Sequence, residues 1–267
     1  MIIASGKTPK NRRMRNLKLL LAYDGTEFSG WQVQPGASTV QGTLASAIGR
    51  VTGESVLPQG SGRTDAGVHA LGQVAAVAIQ SPIPAENLVT ALNDVLPSSI
   101  RVLEAAEVPA EFHARKSARA KTYRYTIFRG AICPPFRARY VWHYPYPLDE
   151  AVMQQVAACI VGEHDFTSFA AVDPERKKKE EGRQERVSNV RTIFSSTWQR
   201  QADDLVYTVR GSGFLHHMVR NLVGTFLLAG KGTLKPSELL QILKARSRSA
   251  AGATAPAAGL CLISVEY

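Results

Sequence analysis

Several features are scarce in this chain of 267 residues, and each scarcity excludes a class of protein. The three cysteines, Cys133, Cys159 and Cys261, are odd in number and widely spaced, so they indicate neither a disulfide framework nor a cysteine-based zinc site. No apolar run approaches the length that spans a bilayer. Residues 1–16 lack an apolar segment of signal-peptide length. We therefore expect a cytoplasmic protein without a membrane anchor.

Acidic residues are also few, since 22 of them stand against 32 lysines and arginines, which gives a net charge of +10. Residues 1–16 contain five basic residues and no acidic one, which predicts a basic N-terminal tail. A solvated basic surface and a polyanionic partner both explain this charge, and RNA or DNA is the usual polyanion. Charge alone does not separate RNA from DNA, or either of them from an acidic membrane.

The hydrophobic pattern alternates between strand and helix. In the first half, strands are predicted at 17–23, near 55–57, at 73–79 and at 100–108. A helix with apolar residues at 40, 44, 48 and 51 follows a capping-box pattern at Ser38 and Gln41, and a second helix ends before Pro97. The second half repeats the order, with strands at 122–128, 190–198, 205–210 and 260–267. Its helices are predicted to begin at Asp149, at Leu215 and near Pro236.

Each half thus gives strand, helix, strand, strand, helix, strand. This order predicts an α+β protein with two ferredoxin-like (βαββαβ) halves, antiparallel sheets and a central cleft. We expect a tail at 1–16, an N-terminal domain at 17–115 and a C-terminal domain at 116–267. Residues 173–186 are almost wholly charged and polar, which favours an exposed surface insertion over an RNA contact.

The stretch at 61–70 is the most informative chemically. It places two glycines around Arg63-Thr64-Asp65, and glycine allows a close approach of backbone to a ligand. An arginine can orient a carboxylate or neutralise a phosphate, and an ionised carboxylate can act as a nucleophile. A turn closed by an Arg63–Asp65 ion pair is the simpler alternative, because such pairs are common. His69 is predicted to be structural.

This stretch resembles the signature of the TruA family of tRNA pseudouridine synthases, and further segments resemble that family in the same order. The matching segments are Tyr23-Asp24-Gly25-Thr26, Gly30-Trp31-Gln32, Gly62-Arg63-Thr64-Asp65-Ala66-Gly67-Val68-His69, Phe112-His113-Ala114-Arg115, Tyr123-Arg124-Tyr125, His164-Asp165-Phe166-Thr167-Ser168-Phe169, Phe214-Leu215-His216-His217-Met218-Val219-Arg220-Asn221 and Ala258-Gly259-Leu260. They extend over nearly all of 17–267. Residues 1–16 and 173–186 depart from the family pattern.

The resemblance implies an isomerase that converts uridine to pseudouridine at positions 38, 39 and 40 of the tRNA anticodon stem-loop. It implies tRNA as the partner, a homodimer, an RNA-binding cleft between the halves, and neither a cofactor nor a metal. The sequence agrees in having no Walker or dinucleotide glycine motif. The exact target uridines, and the choice among attack at C1′, attack at C6 and a glycal route, stay open.

The resemblance also implies the roles of four residues. Asp65 is the nucleophile, and Arg63 pairs with it and can occupy the space left by the flipped base. Tyr123 stacks on the uracil and helps to remove the C5 proton, and Arg220 pairs with the nucleophile. From pattern alone, Tyr123 would be a core aromatic residue, and Arg220 would lie on a solvated helix face together with His217.

Substrate binding is assigned to Tyr123, Arg63, His217 and a basic cluster that can contact phosphates. The members of that cluster are Arg115, Lys116, Arg119, Lys121 and Arg124.

Two other functional classes compete with the isomerase. A non-catalytic RNA-binding protein would explain the charge but gives Asp65 no role. A glycosidic hydrolase would need a second carboxylate, for which the sequence has no paired acidic motif.

Overall fold

The computed structural model describes residues 13–172 and 188–267. Most of the predicted basic tail and the whole predicted insertion at 173–186 lie outside the described residues. Within the described residues, no helix is long and apolar enough to cross a membrane.

The helices and strands follow the predicted order. The first half contains β1 (Arg15–Tyr23), α1 (Val40–Thr52), β2 (Gln59–Gly60), β3 (His69–Ile79), α2 (Ala85–Val95) and β4 (Ile100–Val108). The second half contains β5 (Ala120–Phe128), β6 (Trp142–His143), α3 (Glu150–Ala158), β7 (Gly162–Asp165), β8 (Val190–Gln201), β9 (Asp204–Gly211), α4 (Met218–Gly230), α5 (Pro236–Ala245) and β10 (Leu260–Glu266).

One sheet contains all of these strands, in the order β4-β1-β3-β10-β5-β9-β8-β7, with β2 beside β3 and β6 beside β5. The pairing is antiparallel except for β3 with β10 and β5 with β6. The orders β4-β1-β3-β2 and β10-β5-β9-β8 are equivalent, which confirms the α+β class with two ferredoxin-like halves. The halves meet where Cys261 and Leu262 pair with His69 and Ala70.

The helices pack on one face of the sheet because the strands alternate as the sequence indicates. In β1, Leu17, Leu19 and Leu21 are fully buried in the main core, and the residues between them are only partly buried. The same core includes Tyr125 and Ile127 of β5 together with apolar residues of helices α1 to α5. Burial of this apolar surface is the main favourable contribution to folding.

Three local predictions differ from the structure. The cap of α1 is Thr39, whose side chain accepts a hydrogen bond from Gly42, and not Ser38. Helix α4 begins at Met218 instead of Leu215, because His217 has a left-handed backbone with φ of 59°. The short strand predicted near 55–57 lies instead at Gln59–Gly60, and β6 and β7 are too short to give a periodic signal.

Candidate active site

The loop of Asp65 connects β2 to β3 and is held by backbone hydrogen bonds. Ser61 donates to the carbonyl of Val74 at 2.7 Å, and Trp31 donates to the carbonyl of Thr64 at 3.0 Å. Gly30 has φ of 88°, and a Cβ there would lie 2.6 Å from the same Thr64 oxygen. Glycine at position 30 is therefore required for the close approach of this turn to the Asp65 loop.

Asp65 is contacted by basic side chains from the start of α4. Nη1 of Arg220 donates to Oδ2 of Asp65 at 2.9 Å, and both side chains are largely buried, with exposed fractions of 14% and 15%. Nε2 of His217 lies 3.4 Å from Oδ2, and Nε2 of His216 lies 3.6 Å from Oδ1. The carboxylate therefore has a fixed orientation and several basic neighbours in a partly closed site.

The guanidinium of Arg220 is itself fixed from a second side. Its Nε donates to the carbonyl of Ala255 at 2.8 Å, and the backbone N–H of Ala255 donates to the carbonyl of Arg220 at 3.1 Å. The solvated helix face suggested by pattern alone is thus not what Arg220 occupies. One arginine holds the nucleophile candidate and the segment before β10 at the same time.

Arg63 differs from the sequence-based expectation. It is exposed, and the arginine at ion-pair distance from Asp65 among the described residues is Arg220 instead. The two residues that precede Asp65 in sequence have opposite surroundings, since Thr64 is buried and Arg63 faces outward. The contact that orients the Asp65 carboxylate therefore comes from α4, far from Asp65 in sequence.

His217 and His216 differ in their surroundings. Burial is the main cause that lowers the pKa of His217, and Asp65 opposes it, so the imidazole is neutral at pH 7. Nδ1 of His216 lies 3.2 Å from the carbonyl of Val172. The His216 ring is therefore oriented by a backbone carbonyl on one side and faces Oδ1 of Asp65 on the other. The sequence patterns did not single out His216, although it lies within the 214–221 segment.

The ligand atoms of Asp65, His216 and His217 lie within 4.8 Å of one another, a spacing that a metal ion could accept. However, the guanidinium of Arg220 already contacts the carboxylate. A cation bound there would face this fixed positive charge, which opposes metal binding.

Tyr123 lies on β5 next to this site and is nearly buried, with 7% exposed. Its ring packs edge-on against Phe214, with 5.0 Å between the centroids. Burial is the main cause that raises the pKa of Tyr123, and Tyr23, Asp65 and Cys261 add to it. The hydroxyl therefore stays protonated at neutral pH and can act as a hydrogen-bond donor, not as a phenolate. Its core position and its place beside Asp65 are both real features of this residue.

The basic cluster predicted from sequence is divided between two faces of the sheet. Lys121 precedes Tyr123 by two residues, shares its face of β5 and donates to the carbonyl of Ser61 at 2.6 Å. Burial, together with Arg115 and Arg191, lowers the pKa of Lys121 to about 8. Arg124 points to the opposite face of β5, where it is exposed. Exposed Arg115, Lys116 and Arg119 lie in the connection before β5.

The chain is similar to known proteins over most of its length. Residues 20–115 and 156–267 match the family model described as tRNA pseudouridine synthase. The chain is 56% identical over 254 residues to tRNA pseudouridine synthase A of Solibacter usitatus, covering 95% of this chain and 100% of that protein. It is 46% identical to the protein of that name from Brevibacillus brevis, with the same coverage, and 47% identical to that from Moorella thermoacetica, covering 94% and 99%. On these matches, the chain belongs to the tRNA pseudouridine synthase family.

Proposed function

We propose that this chain converts uridine to pseudouridine at positions 38, 39 and 40 of the tRNA anticodon stem-loop, with Asp65 as the nucleophile. Membership of the family makes it an isomerase that acts on tRNA. The proposed role of Asp65 is supported by one observation. Its Oδ2 lies 2.9 Å from Nη1 of Arg220, in a largely buried site beside Tyr123. A side chain oriented in this way before the substrate arrives is what nucleophilic catalysis needs.

The reaction breaks the bond between N1 of uracil and C1′ of ribose, turns the base and joins C5 to C1′. The proton lost from C5 is balanced by a proton gained at N1, so the product is an isomer of uridine. Because the base is stacked within the RNA, it must first leave the stack to reach Asp65. In this scheme Asp65 attacks C1′ and displaces N1 of uracil, adds to C6 across the C5–C6 double bond, or assists a glycal route, and any bond that it forms is broken again before the product leaves. Arg220 keeps the second carboxylate oxygen in place. The ring of Tyr123 stacks on the uracil, and its protonated hydroxyl donates a hydrogen bond that positions a water molecule, which accepts the proton from C5.

Contacts to the rest of the substrate are assigned to residues around the mouth of the site. Arg63 and His217 contact the target nucleotide, since both are near Asp65 in sequence or in space. Phosphates are assigned to Lys121 and to Arg115, Lys116 and Arg119 just before β5. Arg124 lies on the other face of β5, so it would contact a different part of the tRNA.

The larger organisation is proposed on the same basis. Domains at 17–115 and 116–267 would form the RNA-binding cleft, and a homodimer in the cytoplasm would hold one tRNA across both subunits. Light scattering at micromolar concentration measures the oligomeric state, and a fully active monomer would contradict the dimer.

A tritium-release assay on tRNA labelled at C5 of uridine tests the proposal. The isomerase releases tritium and leaves the RNA chain intact, a hydrolase releases free uracil, and a non-catalytic RNA-binding protein does neither. Asp65→Asn should fold and bind tRNA but form no pseudouridine, because an amide is a poor nucleophile. Activity of that variant within tenfold of wild type would remove Asp65 from the proposed role.

A further inference from the structure

Gln73 is an unusual residue for its position, because it lies fully buried in β3 opposite Leu21 of β1. An amide in such surroundings is costly unless its polar atoms are hydrogen-bonded. Here Nε2 donates to the carbonyl of Gly62 at 3.1 Å and to the hydroxyl of Tyr23 at 3.4 Å. Oε1 accepts from the hydroxyl of Ser61 at 2.7 Å. A leucine would fill the same space without this cost, so packing alone does not explain the amide.

The partners of Gln73 continue the network to the residues just before Asp65. The hydroxyls of Tyr23 and Thr64 are 2.9 Å apart, which ties the residue adjacent to Asp65 to β1. Lys121 donates from β5 to the carbonyl of Ser61 at 2.6 Å. The network therefore fixes positions 61, 62 and 64 from the side of the sheet.

Gly62, in the middle of the network, is held through its backbone. Gly62 has no side chain to pack, and a Cβ there would lie 2.7 Å from Nζ of Lys121. The carbonyl of Gly62 is instead held by the amide of Gln73. Functional groups must be held within about 0.5 Å of the productive geometry by neighbours that are themselves fixed.

We propose that Gln73 is a positioning residue for the reaction, acting through Ser61, Gly62, Tyr23 and Thr64 to hold the Asp65 carboxylate in place. This inference rests on the proposed function. It assigns Gln73 no contact with the substrate, so its loss should lower the rate of the chemical step and leave tRNA affinity unchanged.

The test compares single-turnover rates, tRNA dissociation constants and melting temperatures for three variants. Gln73→Leu removes every amide contact and should lower the rate by about 10- to 100-fold, the range expected for a misplacement of about 1 Å, with affinity within about twofold of wild type. Gln73→Glu keeps the shape and the acceptor oxygen but loses the donor to Gly62. Because burial raises the pKa of this carboxyl, the protonated form keeps the donor at low pH, and the rate relative to wild type should fall as the pH rises to about 9.

Gln154→Leu is the matched control. Its amide oxygen accepts from the backbone N–H of Trp198 at 2.6 Å, between α3 and β8 and away from the Asp65 loop. This variant should lose stability but keep the wild-type rate.

The outcomes separate the two proposals. Wild-type rates in Gln73→Leu, or in Gln73→Glu throughout the range from pH 6 to about 9, would overturn the positioning role while the proposed function stands. Equal rate losses in Gln73→Leu and Gln154→Leu at equal melting temperatures would also overturn it. If Gln73→Leu does not fold, Gln73→Glu decides alone. A wild-type chain that forms no pseudouridine would refute both proposals.

Discussion

Two helical glycines allow a direct test of how Arg220 is held. Gly224 lies one turn after Arg220 in α4, and a Cβ there would overlap the carbonyl oxygen of Ala253 and lie 3.0 Å from its carbon. Gly49 in α1 is also helical, but its Cβ would be 3.6 Å from the carbonyl of Glu54, an ordinary contact. A substitution by alanine therefore creates a steric overlap at position 224 and only an ordinary contact at position 49.

The expected magnitudes follow from helix propensity and packing. Alanine favours a helix over glycine by about 1 kcal/mol at either position. At Gly224, overpacking costs about 1–3 kcal/mol, because α4 and the segment at 251–255 must separate by about 1 Å. That segment supplies the Ala255 carbonyl that holds Arg220. Gly224→Ala should therefore be neutral to about 2 kcal/mol less stable, and slower in single turnover by about 10- to 100-fold.

Gly49→Ala should instead gain up to about 1 kcal/mol and keep the wild-type rate. Chemical denaturation measures both stabilities, and tritium release from C5-labelled tRNA measures both rates. If Gly224→Ala is as stable and as fast as Gly49→Ala, the close contact between α4 and the 251–255 segment does not position Arg220, and the reasoning fails.

Three further predictions concern chemistry and binding. Tyr123→Phe should keep tRNA affinity and lower the single-turnover rate by about a hundredfold or more, because it keeps the ring and loses the hydroxyl. Tyr123→Leu loses the ring as well, so its affinity and its rate should both be lower than those of the Phe variant. Near-normal turnover of the Leu variant would return Tyr123 to a purely structural role. Affinity for tRNA should fall steeply as salt rises, because phosphate contacts release counterions, and a flat salt titration would contradict the RNA-binding cleft. Since the pKa of Lys121 is lowered from 10.5 to about 8, its charge is lost as pH rises through 8, so tRNA affinity should fall there in wild type but not in Lys121→Arg. Between pH 8 and 10.5 the unfolded chain holds one more proton at Lys121 than the folded chain, so this group makes the free energy of unfolding rise with pH in that window. Chemical denaturation of the Lys121→Arg variant should not show this rise.

The order of strands and helices could be predicted from the sequence, because each element depends on the spacing of its own apolar residues. β1 alternates cleanly, and Asp149 caps α3 as expected, with its side chain accepting from Val152. The failures are also local in origin. Ser38 and Thr39 are both good cap residues, and only the backbone conformation of Thr39 decides between them. A left-handed His217 is not foreseeable from composition, because glycine and asparagine are the usual residues there.

The surroundings of Asp65 could not be predicted in the same way, since they depend on contacts between residues far apart in sequence. Arg63 was the natural partner for Asp65 because it is two residues away, yet the arginine that contacts the carboxylate is 155 residues away. Gln73 gave no sequence signal, because a single polar residue in a strand is normally placed on the solvent side. Its burial follows from the position of β3 between β1 and β10 in the sheet.

A single strand pairing explains why Asp65 and Arg220 meet. β3 and β10 are parallel, so the segments that precede them emerge at the same end of the sheet. His69 pairs with Cys261, which brings the end of the Asp65 loop beside the segment that leads from Ala255 into β10. A Cβ on Gly67 would lie 3.2 Å from Cβ of Ala257, so these two segments are in contact. Because Ala255 is the acceptor for Arg220, the register between β3 and β10 positions both members of the ion pair, and the site exists only when the two halves of the sheet are joined.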